Sequence, residues 1–197
     1  MLKTGHFRPA ALGFALGTLS VAAYAAPMTY TMDPAHTYPS FEVDHSGGTS
    51  VWRGKFNGTT GTITMDKEAQ TGSITATIDI NSIDFGNDGL NDHTKTDQAG
   101  MLDAAQFPTA TYTGRLTKWM NGAPTMVEGE LTLHGVTHPV NLEIRKFKCG
   151  PGRTGGETCG ADAYAEFKRS DFGVNFAENF GFDMGVVLRI QVEAASQ

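Results

Sequence analysis

The sequence predicts an antiparallel all-β domain, and three observations support that prediction. Apolar and polar residues alternate with the period of two that a half-buried strand requires. Turn-forming residues separate these runs about every dozen residues, and no long stretch shows helical periodicity. Because each run has one apolar face and one polar face, the sheet is expected to contact water on one side only.

The most informative stretch is 128–140, which reads EGELTLHGVTHPV and joins two alternating runs by a turn. Gly135 readily adopts the positive φ that a tight turn needs, so we expect a β-hairpin that reverses there. Apolar residues share one face on each side of the turn: Val127, Leu131 and Leu133 before it, and Val140, Leu142 and Ile144 after it.

The other predicted strands cover residues 38–44, 51–57, 62–66, 73–81, 109–119, 163–169 and 183–193. In the stretch 73–81, three isoleucines and an alanine face one way while serine, threonine and aspartate face the other. Between residues 91 and 105 the alternation stops, and we expect one or two short helical turns there, with Thr96 or Asp97 as the N-cap.

Residues 1–25 have the organisation of a secretory signal peptide. Lys3 and Arg8 precede an apolar run, and Ala23-Tyr24-Ala25 is a small-x-small cleavage pattern. A membrane anchor is the alternative, but the run is short and two glycines interrupt it. We therefore expect a periplasmic protein that is soluble after cleavage, and residues 26–197 are the right length for one domain.

The charge of the chain excludes one class of partner. The formal net charge is −6, and removing residues 1–25 takes away two positive charges and no negative ones. An acidic protein repels phosphate-rich polymers, so we expect no nucleic-acid partner. Whether two copies associate as a homodimer is left open by the sequence.

The two cysteines, Cys149 and Cys159, are expected to form a disulfide in an oxidising compartment. They flank a glycine-rich polar loop, and closing so short a loop contributes about 2 to 3 kcal/mol in the chain-entropy treatment. A metal site or a redox pair is the alternative, but there is no further cysteine and the spacing is not CxxC.

Five histidines lie beyond the leader, and imidazole is a common metal ligand. His134 and His138 have the spacing that zinc enzymes use on helices, but here the pair straddles a hairpin turn. His36, His45 and His93 are candidates to gather at one end of the fold, where they would hydrogen-bond a ligand or tie loops together. No GxSxG, P-loop or GxGxxG motif is present, so the sequence offers no support for an enzyme.

The stretch 171–184 carries four phenylalanines, Phe172, Phe176, Phe180 and Phe182, with two glycines as pivots within it. One interpretation is a bulged strand pair whose rings fill one end of the core. The other is an aromatic lid over a cavity, mobile enough to admit a lipid tail.

Strands with a single apolar face can hide it by stacking two sheets or by closing into a barrel, and these residues alone do not separate the two closures. Six stretches distributed along nearly the whole mature chain read YTMDPAHTYPSFEVDH, WRGKFNGTTGTITMD, INSIDFGNDGLNDH, MLDAAQFPTATYTG, ELTLHGVTHPV and RSDFGV. In these stretches the chain resembles the YceI-like family. Two departures are Asn91-Asp92, where the family usually has Arg-Asp, and a slightly longer segment over 93–108.

The resemblance implies a lipocalin-like antiparallel β-barrel of about eight strands with one or two short helices. It also implies a non-catalytic periplasmic carrier whose interior encloses a polyisoprenoid or a fatty-acid-derived lipid, without another cofactor. The expected head-group residues are His36, His45 and His93. The expected cavity lining is Phe41, Val43, Ile74, Ile78, Ile80, Tyr112, Leu131, Leu133, Leu142, Phe167, Phe172, Phe176 and Phe180.

Two rival hypotheses come from other functional classes. One is a metal-dependent periplasmic enzyme built around His36, His45 and His93. The other is a barrel whose interior is filled by side chains, and which acts through its surface in a stress response or in adhesion.

Overall fold

The computed structural model describes residues 1, 26–153 and 155–196. Apart from Met1, the predicted signal peptide lies outside the described residues. The described part of the chain contains one short helix, α1 (Asp88–Thr94), and three single 3₁₀ turns, at Ile80–Ser82, Arg169–Phe172 and Glu178–Phe180. Its strands are β1 (Met28–Met32), β2 (Tyr38–His45), β3 (Ser50–Phe56), β4 (Thr59–Asp66), β5 (Thr71–Asp79), β6 (Ile83–Asp84), β7 (Thr109–Met120), β8 (Ala123–Leu133), β9 (Val136–Pro139), β10 (Leu142–Pro151), β11 (Glu157–Lys168) and β12 (Gly185–Ser196).

The twelve strands form a closed antiparallel barrel with eight strand positions. Four of these positions are each occupied by two consecutive shorter strands. Strands β1 and β2 lie one after the other along β12, with Tyr30 opposite Ser196 and Tyr38 opposite Gln191. In the same way β3 and β4, β5 and β6, and β9 and β10 each continue one position. The pairing of β1 with β12 closes the sheet. The predicted all-β barrel of about eight strands is therefore confirmed.

The pleat of each strand separates the interior of the barrel from its surface. On β5, Ala76 and Ile78 are buried, whereas Ser73, Thr75 and Thr77 are exposed. Such alternation is what a sheet with one dry face requires. The period of two in the sequence thus identified the inward face of this strand correctly.

The hairpin at Gly135 is also confirmed. Gly135 has φ +75°, and a Cβ atom there would lie 2.7 Å from the ring of Phe107, so the turn excludes a side chain for steric as well as torsional reasons. All four residues of β9 after the turn are exposed.

The prediction for the connecting segment was wrong in position. The helix α1 begins after Asn87, whose side chain accepts a hydrogen bond of 2.9 Å from the backbone N–H of Leu90. Thr96 instead follows the helix, and its hydroxyl donates to the carbonyl of His93 at 2.8 Å. Asn87 can cap this helix because it precedes the first helical residue, whereas Thr96 lies beyond the last one, Thr94.

The disulfide between Cys149 and Cys159 is present, as predicted. The two residues face each other in the register of β10 and β11, so the bond joins neighbouring strands near the end of their hairpin. Within the described residues, no helix has the length and hydropathy that a membrane span needs.

The two ends of the barrel differ. The end called here the loop end carries the β2–β3 turn, the segment 85–108, the β8–β9 turn and the loop 169–184. The opposite end, called the blind end, carries the β4–β5, β7–β8 and β10–β11 turns and the last residues of β12.

Candidate functional site

The barrel encloses a cavity of about 520 Å³. Ligand sites for small molecules range over about 300–1,000 Å³, so this volume suits one elongated apolar molecule. The wall consists almost entirely of the inward-facing apolar side chains of the strands, from Tyr30 and Met65 at the blind end to Trp52 and Phe182 at the loop end.

Most of the residues expected to line a cavity do lie in its wall. The structure brings together eleven of them: Phe41, Val43, Ile74, Ile78, Ile80, Tyr112, Leu131, Leu133, Leu142, Phe167 and Phe176.

Phe172 and Phe180 do not line the cavity, contrary to expectation. Phe172 is 1% exposed, and its ring packs edge-on against the rings of Phe167 and His138, so it fills the core beside the cavity. Phe180 is 82% exposed, because the 3₁₀ turn that contains it directs its ring away from the barrel. The loop 169–184 is therefore neither a bulged strand pair nor a uniform aromatic lid.

The three histidines expected at one end do not come together. His45 and His93 lie in the cavity wall at the loop end. His36 lies in the break between β1 and β2, where its ring is exposed and its Nδ1 is 2.6 Å from Asp33 Oδ2. The hydrogen bond that its ring donates to the Asp33 carboxylate raises the pKa of His36. This histidine tightens a surface turn and does not contact the cavity.

Aromatic rings surround the loop end of the cavity. The ring of Trp52 lies 4.7 Å from that of His45 and 6.3 Å from that of Phe85, measured between centroids. The ring of His93 packs edge-on against that of Phe176, with 5.4 Å between their centroids. The opening that these five rings surround is called the mouth. The side chains in this rim are half-buried, whereas Tyr30 and Met65 at the other end are buried. This difference in burial favours access to the cavity through the loop end.

A cation also lies in the wall at this end, and its role was missed from the sequence. Arg169 follows β11, and its guanidinium donates hydrogen bonds to the carbonyl oxygens of Val174 and Phe176, each at 2.9 Å. Burial lowers the pKa of Arg169, and nearby carboxylates partly offset that effect. The signal was available in the stretch RSDFGV, since an arginine at the end of an inward-facing apolar run needs a partner.

Asp44 joins two of the loops at the mouth. Its carboxylate accepts hydrogen bonds from the backbone N–H groups of Gly48 at 2.6 Å and Asp183 at 2.9 Å. These bonds, with that of Asp183 the strongest, hold the pKa of Asp44 below its usual range. The β2–β3 turn and the loop 169–184 are thereby fixed to each other.

The blind end is closed by a buried tyrosine and its ionic partners. The Tyr30 hydroxyl donates to Glu157 Oε2 at 2.5 Å, and Lys67 Nζ donates to the same oxygen at 2.6 Å. Burial, with Glu157 adding to it, raises the pKa of Tyr30, so its hydroxyl remains a donor. The contact links β1, the β4–β5 turn and β11 beneath the cavity floor.

Tyr112 has no free donor for a ligand. Its hydroxyl donates to the carbonyl of Val140 at 2.9 Å, and burial raises its pKa. A Cβ atom at Gly129 would lie 2.4 Å from this hydroxyl, so the glycine makes room for the ring.

Thr59 differs from Tyr112. Its Oγ1 is a buried hydroxyl of the cavity wall for which the described residues supply no hydrogen-bond partner.

The described residues offer one group with the composition of a metal site, formed by Cys149, Glu157 and Cys159. Both sulfur atoms of this group are already joined in the disulfide. Two metal-binding thiolates are therefore not available there in the oxidised protein.

The sequence matches the YceI-like domain over residues 30–194. The chain belongs to the YceI-like family. Protein YceI of Salmonella arizonae is 32% identical over 195 aligned residues, which cover 94% of this chain and 97% of that protein. Protein YceI of Salmonella dublin has the same identity and coverage.

Several solved structures share the fold. BcnA of Burkholderia cenocepacia has a TM-score of 0.65 at 23% identity and covers 83% of this chain and 99% of its own. A YceI protein of Campylobacter jejuni has a TM-score of 0.62 at 21% identity, with coverage of 95% and 93%. A polyisoprenoid-binding domain from Saccharophagus degradans, implicated in plant cell wall breakdown, has a TM-score of 0.58 at 16% identity, with coverage of 86% and 99%.

Proposed function

We propose that this protein is a periplasmic carrier that encloses one long apolar amphiphile, a polyisoprenoid or a fatty-acid-derived lipid, without catalysing a reaction on it. The observation that carries the proposal is the apolar cavity of about 520 Å³ that runs along the inside of the barrel. Removing each CH₂-sized unit of a tail from water yields about 0.8 kcal/mol before the costs of binding are subtracted. A tail that fills this cavity would therefore bind tightly.

The distribution of polar groups supports the orientation of such a ligand. The tail would lie against the strands, and the head would lie among His45, His93 and Arg169 at the loop end. At the blind end, the described residues Tyr30, Glu157 and Lys67 are joined to one another by hydrogen bonds. The polyisoprenoid-binding domain of Saccharophagus degradans, which shares the fold, makes a prenyl tail a reasonable occupant.

The location in the periplasm is part of the proposal. It is supported by the leader-like pattern of residues 1–25 and by a disulfide, which persists in oxidising compartments. Neither rival hypothesis has comparable support. The cavity is at variance with a filled barrel, and His36 lies apart from the wall that contains His45 and His93.

One experiment separates the three hypotheses. The protein is purified from its native host, one half is extracted with organic solvent for mass spectrometry, and the other half is analysed for metals. One equivalent of a single lipid per chain supports the carrier. One equivalent of a metal supports the enzyme, and a protein with neither would support a role for the surface alone.

A further inference from the structure

Arg169 places a positive charge in the wall of an otherwise apolar cavity. Its side chain is half-buried, and it lies among Phe167, Val174 and Phe176 at the loop end. Two of its N–H donors are used on the carbonyls of Val174 and Phe176. Both partners are neutral, so these bonds position the guanidinium without balancing its charge.

No carboxylate in the described ranges forms an ion pair with Arg169. Asp44 is near, but its carboxylate is held by the backbone amides of Gly48 and Asp183. The negative charges of Glu178 and Asp183 attract Arg169 from a distance. Because both side chains are exposed, water screens this attraction. An arginine remains protonated in proteins. Its charge therefore stays uncompensated by direct contact.

A second donor lies on the same wall. The His93 ring lines the cavity and packs edge-on against Phe176. Among the described residues its ring nitrogens have no hydrogen-bond partner. Together with the unused N–H groups of Arg169, this ring gives the loop end an excess of donors and one formal positive charge facing an apolar space.

We propose that the loop end of the cavity selects lipids with an anionic head group, a carboxylate or a phosphate, which Arg169 binds while the tail fills the barrel. The planar fork of an arginine matches two oxygens of either group, and such charge-assisted hydrogen bonds are stronger than neutral ones. This inference rests on the proposed carrier function and names the head group that the carrier takes. It also places that head group against the loop 169–184, because the same guanidinium holds the loop through Val174 and Phe176.

The test compares ligands that differ only in the head group. The mature protein is stripped of lipid, and hexadecanoate, hexadecyl phosphate and hexadecanol are titrated in turn, with Trp52 fluorescence or calorimetry as the readout. We expect at least one anionic ligand to bind about tenfold or more tightly than the alcohol. The anion with the larger preference identifies the head group.

Three variants assign this preference to Arg169. R169Q should lose the tenfold discrimination while its affinity for hexadecanol stays close to that of the wild type. R169K keeps the charge without the fork and should retain part of the preference. K168Q is the matched control, since it removes the same charge from an adjacent, exposed side chain and should change nothing.

The outcomes distinguish this inference from the carrier function itself. Equal affinity of the wild type for all three ligands would overturn the head-group inference and leave the carrier in place. The head-group inference would also be overturned if R169Q lowered the affinities for hexadecanol and for both anions by one common factor. Arg169 would then act only by holding the loop 169–184. If no ligand bound and the native protein contained no lipid, both the head-group inference and the carrier function would be contradicted.

Discussion

The backbone N–H of Asp183 donates a hydrogen bond of 2.9 Å to Asp44 Oδ2 across the mouth of the barrel. Asp44 belongs to β2, and Asp183 lies near the end of the loop 169–184, two residues before β12. The bond is made by a side chain that also receives the N–H of Gly48. One carboxylate therefore controls how closely two of the mouth loops approach each other.

This contact predicts that the mouth loosens in acid. The pKa of Asp44 is lowered in the folded protein, chiefly by the N–H of Asp183. Its contribution is therefore present above the ordinary pKa of an aspartate and is lost as the pH falls through the lower folded value. Backbone hydrogen exchange of the loop 169–184 should become faster in that window. In D44N the loop should exchange faster at neutral pH and show little further change in acid.

The phenylalanines of this loop should behave differently from one another. F172A should cost about 3–5 kcal/mol of unfolding free energy, because the ring is fully buried in the core. F180A should change stability by less than about 0.5 kcal/mol, because the ring is exposed. Urea denaturation measures both values, and similar losses from the two variants would contradict the packing described.

Phe176 is another phenylalanine of this loop, and replacing it should change how long a ligand stays bound. It lies in the cavity wall at the mouth and packs against His93. F176A should shorten the residence time of a bound lipid, with F180A as the matched control. An unchanged dissociation rate in F176A would show that this ring does not retain the ligand.

The blind end should lose stability when its central hydroxyl is removed. Y30F keeps the ring but leaves Glu157 without its hydrogen bond from this buried donor. Bonds to a charged acceptor contribute about 1.5–3 kcal/mol, and Lys67 still holds the same carboxylate. We therefore expect a loss near the lower end of that range in chemical denaturation. No measurable loss would mean that the contact does not contribute to closing this end.

The disulfide should stabilise the β10–β11 hairpin without being needed for the barrel. Replacing Cys149 and Cys159 together by serine should lower the free energy of unfolding by about 2 to 3 kcal/mol. The far-ultraviolet spectrum should remain that of a β protein, since the hydrogen-bonded register of the two strands extends on both sides of the bond. Loss of the folded state would contradict this prediction.

Regular features were predictable because they depend on period and turn chemistry alone. Ile74 and Ile78 could be assigned to the inward face from alternation, and Gly135 could be assigned to a turn from its freedom at positive φ. The closure of the barrel was not predictable in this way, because stacked sheets have the same alternation. The family resemblance decided that point.

The mouth was harder to predict, since it is made of irregular segments. Phe172, Phe176 and Phe180 look equivalent in the sequence, yet one packs in the core, one lines the cavity and one faces water. Phe172 and Phe180 lie in two 3₁₀ turns and Phe176 lies in the segment between them, and none of these has a hydrophobic period. His36 was misplaced because the break between β1 and β2 turns it outward. The sequence shows that Arg169 needs a partner, but it does not identify the partners, because they are backbone carbonyls of a loop whose path the sequence does not specify.

The central claim is that the barrel holds a single lipid in its interior, and the mass of the intact native protein tests it most directly. Protein purified from its host without detergent should show, in native mass spectrometry, one species heavier than the polypeptide by the mass of one long-chain amphiphile. Organic solvent should remove that excess. The account would be contradicted if folded protein that has not been exposed to organic solvent had a native mass equal to that of the polypeptide alone.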